Sequence, residues 1–379
     1  MKKVLATILA LVMALSVTTM AWADDVAKID GTGYATLQEA VNAANNGQTI
    51  VLQSDVVLTA SLNVAVNKTV TLDLNSYKIT ADMNGPHMIC NAGNLTITDS
   101  SANKTGEIAK IGAETNFGYV IENHGTMTLD RCKISSTSVK SSAIENGWYT
   151  ASANTAGTSC TMTIQNAEVV SVNADGGLYT VKNDDYGVMV INGGVFTNSV
   201  AGAGAVLNWN DLTINGGTFT GASAVRTLKS GSSDFETGKS QIKNGTFNGG
   251  IDTLDGYKTG ITIAVTGGTF STDVTEYLAE GKILQKNGDT YTAVTNSAIT
   301  SGTYTSEPTV PSGYKATKND DGTWTVSKVS YYYYQPTTDT KTTDTKGSPK
   351  TFDAGVGIYA VTAVLSVTGM AWTAKKRGN

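Results

Sequence analysis

INGGVF at residues 191–196, INGGTF at 214–219 and VTGGTF at 265–270 bracket a Gly-rich turn between two apolar residues five positions apart. The same offset recurs in Leu129/Ile134, Ile164/Val169, Ile242/Phe247 and Ile299/Tyr304. From first member to first member the steps are 35, 27, 23, 28, 23 and 34 residues, so the turn is constant while the return path varies. Alternation such as Met127-Thr128-Leu129 or Leu212-Thr213-Ile214 turns apolar side chains to one face of a short strand, which the glycines then end.

A second landmark lies upstream of these pairs. Asn91, Asn123, Asn146, Asn183 and Asn208 each follow apolar residues. Three of them precede the last apolar residue of the next strand by six positions: Asn91/Ile97, Asn123/Leu129 and Asn208/Ile214. They read as equivalent turns on successive coils, with their side-chain amides bridging neighbouring coils in a ladder. Short strands, Gly/Asn turns and a coil of about 22 to 28 residues describe an all-β parallel solenoid, its coils about 4.8 Å apart.

A solenoid needs covered ends. Thr36 and Glu39 have capping-box spacing, and Leu37, Ala40, Val41 and Ala44 mark one face of an N-terminal capping helix ahead of the strand at 49–52. At the other end, residues 268–294 parallel residues 302–326, with Gly281 matching Gly313 and Tyr291 matching Trp324. Asn287-Gly288-Asp289 and residues 319–322 read as hairpin turns, and a plain turn is favoured over calcium binding at the second. The expected organisation is a signal peptide at 1–23, the solenoid at 24–270, two β-hairpin modules at 271–329, a Tyr/Thr-rich linker at 330–347 and a terminal segment at 348–379.

YATLQEAVNAANNGQTIVL at 34–52, KTVTLDLNSYKIT at 68–80 and the GGTF repeats resemble the pectate-lyase-like right-handed parallel β-helix proteins on the surface of Gram-positive, Clostridia-type bacteria. The resemblance covers about residues 27–329. It implies a right-handed parallel β-helix (solenoid); it says little of activity, because that scaffold carries many unrelated functions.

The same resemblance raises a polysaccharide lyase or glycoside hydrolase as the alternative to a structural or adhesive surface protein. Hydrolases of the polygalacturonase type place aspartates, a Gly-His-Gly and an Arg-x-Lys on neighbouring coils, so that paired carboxylates flank the scissile bond. Here Asn123-His124-Gly125 and Arg131-Cys132-Lys133 fall within one coil, and Asp184 and Asp185 come after them. No catalytic residue is assigned from this set, and no cofactor is implied.

The net charge of -5, with only three arginines, excludes the concentrated basic surface that nucleic acid requires. Three cysteines, Cys90, Cys132 and Cys160, cannot all pair within one chain and read as buried thiols. His87 and His124 lack zinc-ligand spacing, so no metal is expected.

The solenoid bulges at one turn. Asn146 lies 18 residues before Ile164 instead of six, and the extra chain contains Trp148 and Tyr149. Asn183 lies eight before Ile191, around Asp184, Asp185 and Tyr186, and Trp209 directly follows Asn208. Insertions on a solenoid gather on its working face, and flat aromatics beside carboxylates suit sugar rings and their hydroxyls. These six residues are the candidate glycan-binding strip.

The chain ends announce an exterior protein. Lys2 and Lys3 precede an apolar run to Val17 and the small-residue pattern Ala21-Trp22-Ala23, a signal peptide cut before Asp24. Near the other end, residues 354–374 carry no charge, enough for a transmembrane helix of about 31 Å, and Lys375, Lys376 and Arg377 follow. Ser348, Pro349, Lys350, Thr351 and Phe352 stand just ahead of it. This order resembles the cell-wall sorting signal read by sortases, and by that resemblance a sortase cysteine attacks the Thr351 carbonyl and passes the protein to peptidoglycan. Ser348 and Phe352 depart from the common Leu and Gly, which implies a dedicated sortase; a plain membrane anchor at the C-terminus is the alternative to covalent wall anchoring. The Thr-rich stretch 335–347 reads as a short disordered stalk, and Tyr331–Tyr334 ahead of it as an edge strand or an adhesive patch.

Overall fold

The computed structural model describes residues 25–331, except residue 86 and segments 113–115, 138–139, 141, 149–152, 155–156, 173–178 and 230–237. The expected signal peptide, most of the linker, the sorting residues 348–352 and the apolar run 354–374 lie outside the described residues, as does Tyr149. The chain divides into two units, Met1–Val329 and Ser330–Asn379. No helix among the described residues is long and apolar enough to cross a membrane.

The first unit is all-β, with one long, mostly parallel sheet. Its strands fall into three columns, because along the parallel stack each strand pairs with its equivalent one coil earlier and one coil later. In the first column Ile50, Leu72, Ile97, Leu129, Ile164, Ile191, Ile214, Ile242 and Val265 stand in register, all buried. In the second, Val56, Ile79, Ile108, Ile134, Val169, Phe196, Phe219, Phe247 and Phe270 do the same. The third aligns Leu62, Ile89, Ile121, Ile144, Val181, Val206, Val225 and Ile251. The period-two alternation of each strand sends these rows inward to a continuous core.

The Gly-rich turn joins the first column to the second. Gly194, Gly217, Gly245 and Gly268 share a positive φ of 111° to 133°, a region that side chains with a Cβ rarely enter. At Gly194 a Cβ would also stand 2.3 Å from the Ala167 carbonyl oxygen of the preceding coil. Recurrence of the phrase is therefore enforced by the neighbouring coil. The seventh pair behaves differently: Ile299 and Tyr304 belong to a small separate core with Ile283 and Val326, where Tyr304 pairs antiparallel with Trp324. The offset of five survives there without the parallel stacking.

Both ends are covered. The helix Leu37–Ala43 starts at Thr36, whose hydroxyl accepts the Glu39 N–H while the Glu39 carboxylate accepts the Thr36 N–H, and it buries Leu37, Ala40 and Val41. Ala27–Ile29 lies antiparallel along the first strand of the first column. At the far end Thr269–Phe270 passes from parallel pairing to an antiparallel partner, Thr290–Thr295. Two three-stranded antiparallel modules follow, each with its hairpin, 282–295 and 314–328. In the second hairpin the Asp321 carboxylate accepts the N–H and hydroxyl of Thr323, an Asx turn.

Candidate functional site

The third column ends in the five asparagines, Asn91, Asn123, Asn146, Asn183 and Asn208, in register and buried. Each side-chain N–H donates to the carbonyl oxygen of the next, at 2.7, 2.7, 2.8 and 2.8 Å. The last donates to the Ser240 hydroxyl at 3.0 Å. The ladder fixes one turn on five successive coils, and whatever flanks it is held to the same register.

Since the asparagines point inward, the residue before each points outward. That outer row reads Cys90, Glu122, Glu145, Lys182 and Leu207, in register. Glu145 and Lys182 are 2 % and 5 % exposed. The Lys182 ammonium lies 2.7 Å from the Asp184 carboxylate, 3.4 Å from the Tyr119 hydroxyl and 3.9 Å from Glu145 Oε1. Burial alone would lower its pKa; Asp184, Tyr119 and Glu145 more than reverse that and hold it charged. Burial raises the Glu145 carboxyl far above the carboxylate range, and a hydrogen bond to Asp184 raises it further. Burial of two carboxyl groups beside one ammonium thus favours keeping one proton on the pair.

One coil earlier, both histidines meet one carboxylate oxygen. His87 Nε2 is 3.2 Å and His124 Nε2 3.8 Å from Glu122 Oε1. Thirty-seven residues of sequence separate the two rings, so spacing alone held no sign of this. The Tyr119 N–H donates to His87 Nδ1 at 3.1 Å, which leaves the proton of the neutral ring on Nε2, facing Glu122. That tautomer makes His87 a donor and takes away the lone pair a metal would use. No group of three metal-ligating side chains occurs among the described residues.

His124 lies under Trp148, rings parallel with centroids 3.6 Å apart. Burial and the nearby His87 depress its pKa to about 4. In the unfolded chain a histidine takes up its proton near 6.5, and the native state resists it down to about 4. The stability that a neutral His124 protects is complete above pH 6.5 and drains away as the pH falls toward 4. Urea midpoints measured across that range should drop, and His124→Phe should flatten the drop; an equal drop in the variant removes His124 as its cause.

The strip residues come together on this flank. The Trp148 backbone N–H donates to the Asp185 carbonyl at 2.9 Å, that of Trp209 to the Asn183 carbonyl at 2.8 Å, and that of Cys160 to the Tyr186 carbonyl at 2.9 Å. Trp148, Tyr186 and Trp209 are half-buried, whereas Asp184 and Asp185 are buried. The Trp209 ring covers Tyr179, Leu207 and Leu228 and meets Tyr257 edge-on at 6.4 Å. Neither indole N–H has an oxygen or nitrogen acceptor; that of Trp148 lies at the Cys160 thiol, whose pKa burial raises to about 11. Asp184 is engaged by Lys182 and turned away from solvent, so it braces the turn from beneath.

The hydrolase-like fragments are not brought together. His124 sits at the turn leaving the third column, whereas Arg131 sits at the turn leaving the first, at φ 53° and paired with Asp130 at 2.8 Å. The groups that do converge, Glu122, Glu145, Lys182, His87 and Tyr119, were missed in the sequence. Their signal was the repeated Ile-Glu-Asn at 121–123 and 144–146, answered by Val-Lys-Asn at 181–183. All three cysteines are free thiols, with Cys90 half-buried and Cys132 and Cys160 buried.

The chain is thus an all-β protein built on a long parallel sheet, with a ladder-braced polar flank. No protein-family model matches it, and neither the curated proteins nor the solved structures yield a match.

Proposed function

We propose that this chain is a secreted surface protein, structural or adhesive, in which a right-handed parallel β-helix of the pectate-lyase-like kind presents a glycan-binding flank. The observation that carries this is the placing of Trp148, Tyr186 and Trp209 on three successive coils beside one asparagine ladder. The half-exposed rings suit stacking on the flat face of a sugar. In this reading Ser348-Pro349-Lys350-Thr351-Phe352 is processed by a sortase at Thr351, joining the protein to cell-wall peptidoglycan, with residues 354–374 holding it in the membrane beforehand. The localisation is extracellular, at the cell surface.

A second reading, a polysaccharide lyase or glycoside hydrolase, is favoured by the Glu145/Asp184 acid–carboxylate pair beside Lys182. Its weakness is access, since all three groups are less than a tenth exposed. One experiment tests both readings: the protein and its Trp148→Ala/Trp209→Ala variant are screened on glycan and matrix-protein arrays, and bound glycans are assayed for new reducing ends. Binding at least tenfold weaker in the variant, without cleavage, is the expected result. Equal binding by both proteins rejects the strip, and new reducing ends establish the second reading.

A further inference from the structure

We infer that Lys182 and Glu145 join in an intramolecular amide bond that ties two successive coils together. They occupy the same register position on adjacent strands of the third column, so a bond between them runs along the solenoid axis. Three features of the site favour the reaction. The amine and the acid are already held together, with Lys182 Nζ 3.9 Å from Glu145 Oε1; a small side-chain rotation brings nitrogen to the carboxyl carbon at the roughly 3–3.5 Å of a near-attack geometry. Water, which would favour the free acid and amine, is largely excluded, because both side chains are more than nine-tenths buried. A base is in place, since Asp184 touches Nζ at 2.7 Å and also shares a hydrogen bond with the Glu145 carboxyl.

The oxygens of Glu145 are unequal. Oε1 is buried, accepts no hydrogen bond and lies 3.9 Å from the Lys182 ammonium nitrogen. Burial and the neighbouring Asp184 favour the protonated carboxyl, the form that is an electrophile where an ionised carboxylate is not.

The steps balance without any further reagent. The Lys182 ammonium gives one proton to the Asp184 carboxylate along their hydrogen bond. The resulting amine attacks Glu145 Cδ, forming the C–N bond. The bond from Cδ to the hydroxyl oxygen then breaks, and that oxygen leaves as water with the second proton lost by the nitrogen. Lysine ammonium, aspartate and glutamic acid become an amide, a neutral Asp184 and one water. An uncharged set replaces a buried ion pair. The new ring encloses residues 145–182, including the long insertion after Asn146.

Trypsin and mass measurement test this on the full chain. Between Lys140 and Arg226 the only lysine or arginine is Lys182, so an unlinked protein yields fragments 141–182 and 183–226. An amide at Lys182 blocks cleavage there; the expected product is a single fragment 141–226 lighter by one water, about 18 Da, whose fragmentation places the loss across Glu145 and Lys182. Lys182→Arg should restore cleavage and full mass while keeping the charge, and Asp184→Asn should lower the linked fraction at least tenfold after equal incubation. Recovery of 141–182 and 183–226 at full mass from the folded wild-type protein overturns the proposal, and so does a water loss that maps to any other residue pair. Both of these outcomes are read on the wild-type chain, so neither depends on a variant folding.

Discussion

Asn146→Asp is expected to destabilise the protein by about 4 kcal/mol at neutral pH, although it changes one amide to a carboxylate of the same shape. Asn146 is fully buried and holds the centre of the ladder, its oxygen accepting from Asn123 at 2.7 Å and its nitrogen donating to the Asn183 oxygen at 2.8 Å. Aspartate keeps the first bond and sets an oxygen against an oxygen in the second. No cavity opens, so the loss comes from the missing donor and the buried charge. Burial will push the new carboxyl upward, and protonation restores an O–H donor toward Asn183. The destabilisation should therefore be smallest in acid and grow as the pH rises through the carboxyl's shifted pKa. Asn192→Asp is the control: Asn192 donates to Gln165 and accepts from Asn215, each at 2.8 Å, on an exposed face. There water replaces the lost bond, and the expected cost is below about 1 kcal/mol. Equal losses at the two sites, read from urea unfolding, would mean that the inner ladder is not dry.

The contrast between these two ladders marks what a sequence can disclose about this fold. Asn91, Asn123, Asn146, Asn183 and Asn208 were legible because a period-two strand imposes its register on each coil, and a residue repeated at one register position must stack. The same holds for Ile191, Ile214 and Ile242, and for the capping box at Thr36 and Glu39. What stayed hidden depends on reach across coils by different side chains. Glu122 and Glu145 repeat at one register position, but Lys182, which completes the group, differs in type, so self-comparison of the sequence can align the two acids and still pass over the lysine. His87 reaches Glu122 from outside the aligned strands, placed by a backbone N–H of Tyr119 that no pattern encodes. The strip was half legible: insertion lengths located Trp148, Asp184, Asp185 and Tyr186 on one turn. That Asp184 faces Lys182 instead of solvent follows from the outward row and could not be read from the turn alone.

The aromatic stack of the second column leads to the other large effect, a loss of about 5 kcal/mol in Phe219→Ala. Phe219 is fully buried between Phe196 and Phe247, with centroids 4.9 and 5.0 Å away and planes within 6° of parallel. Coil spacing sets those distances, because side chains in register on strands about 4.8 Å apart can only stack face over face. Truncation to alanine removes the ring's own burial, leaves a cavity between two rings, and takes one neighbour from each. Neither ring can slide inward to fill the gap, since its backbone is hydrogen-bonded at fixed spacing to the coil on either side. Collapse, the usual relief for a cavity, is thus denied, and the cost should lie at the upper end of the range for such substitutions. Phe270 has a single stacked neighbour, Phe247 at 5.0 Å, and sits where parallel pairing gives way to the antiparallel modules. Phe270→Ala should cost about 1–2 kcal/mol less, for want of the second ring. In a stack of coils each coil contacts chiefly its neighbours, so a weak coil at Phe219 should also divide the unfolding transition and lower its apparent m-value, whereas one at Phe270 should leave it single. Phe219→Ala and Phe270→Ala proteins of equal stability, each with one sharp transition, would show that the rings do not carry the coupling between coils.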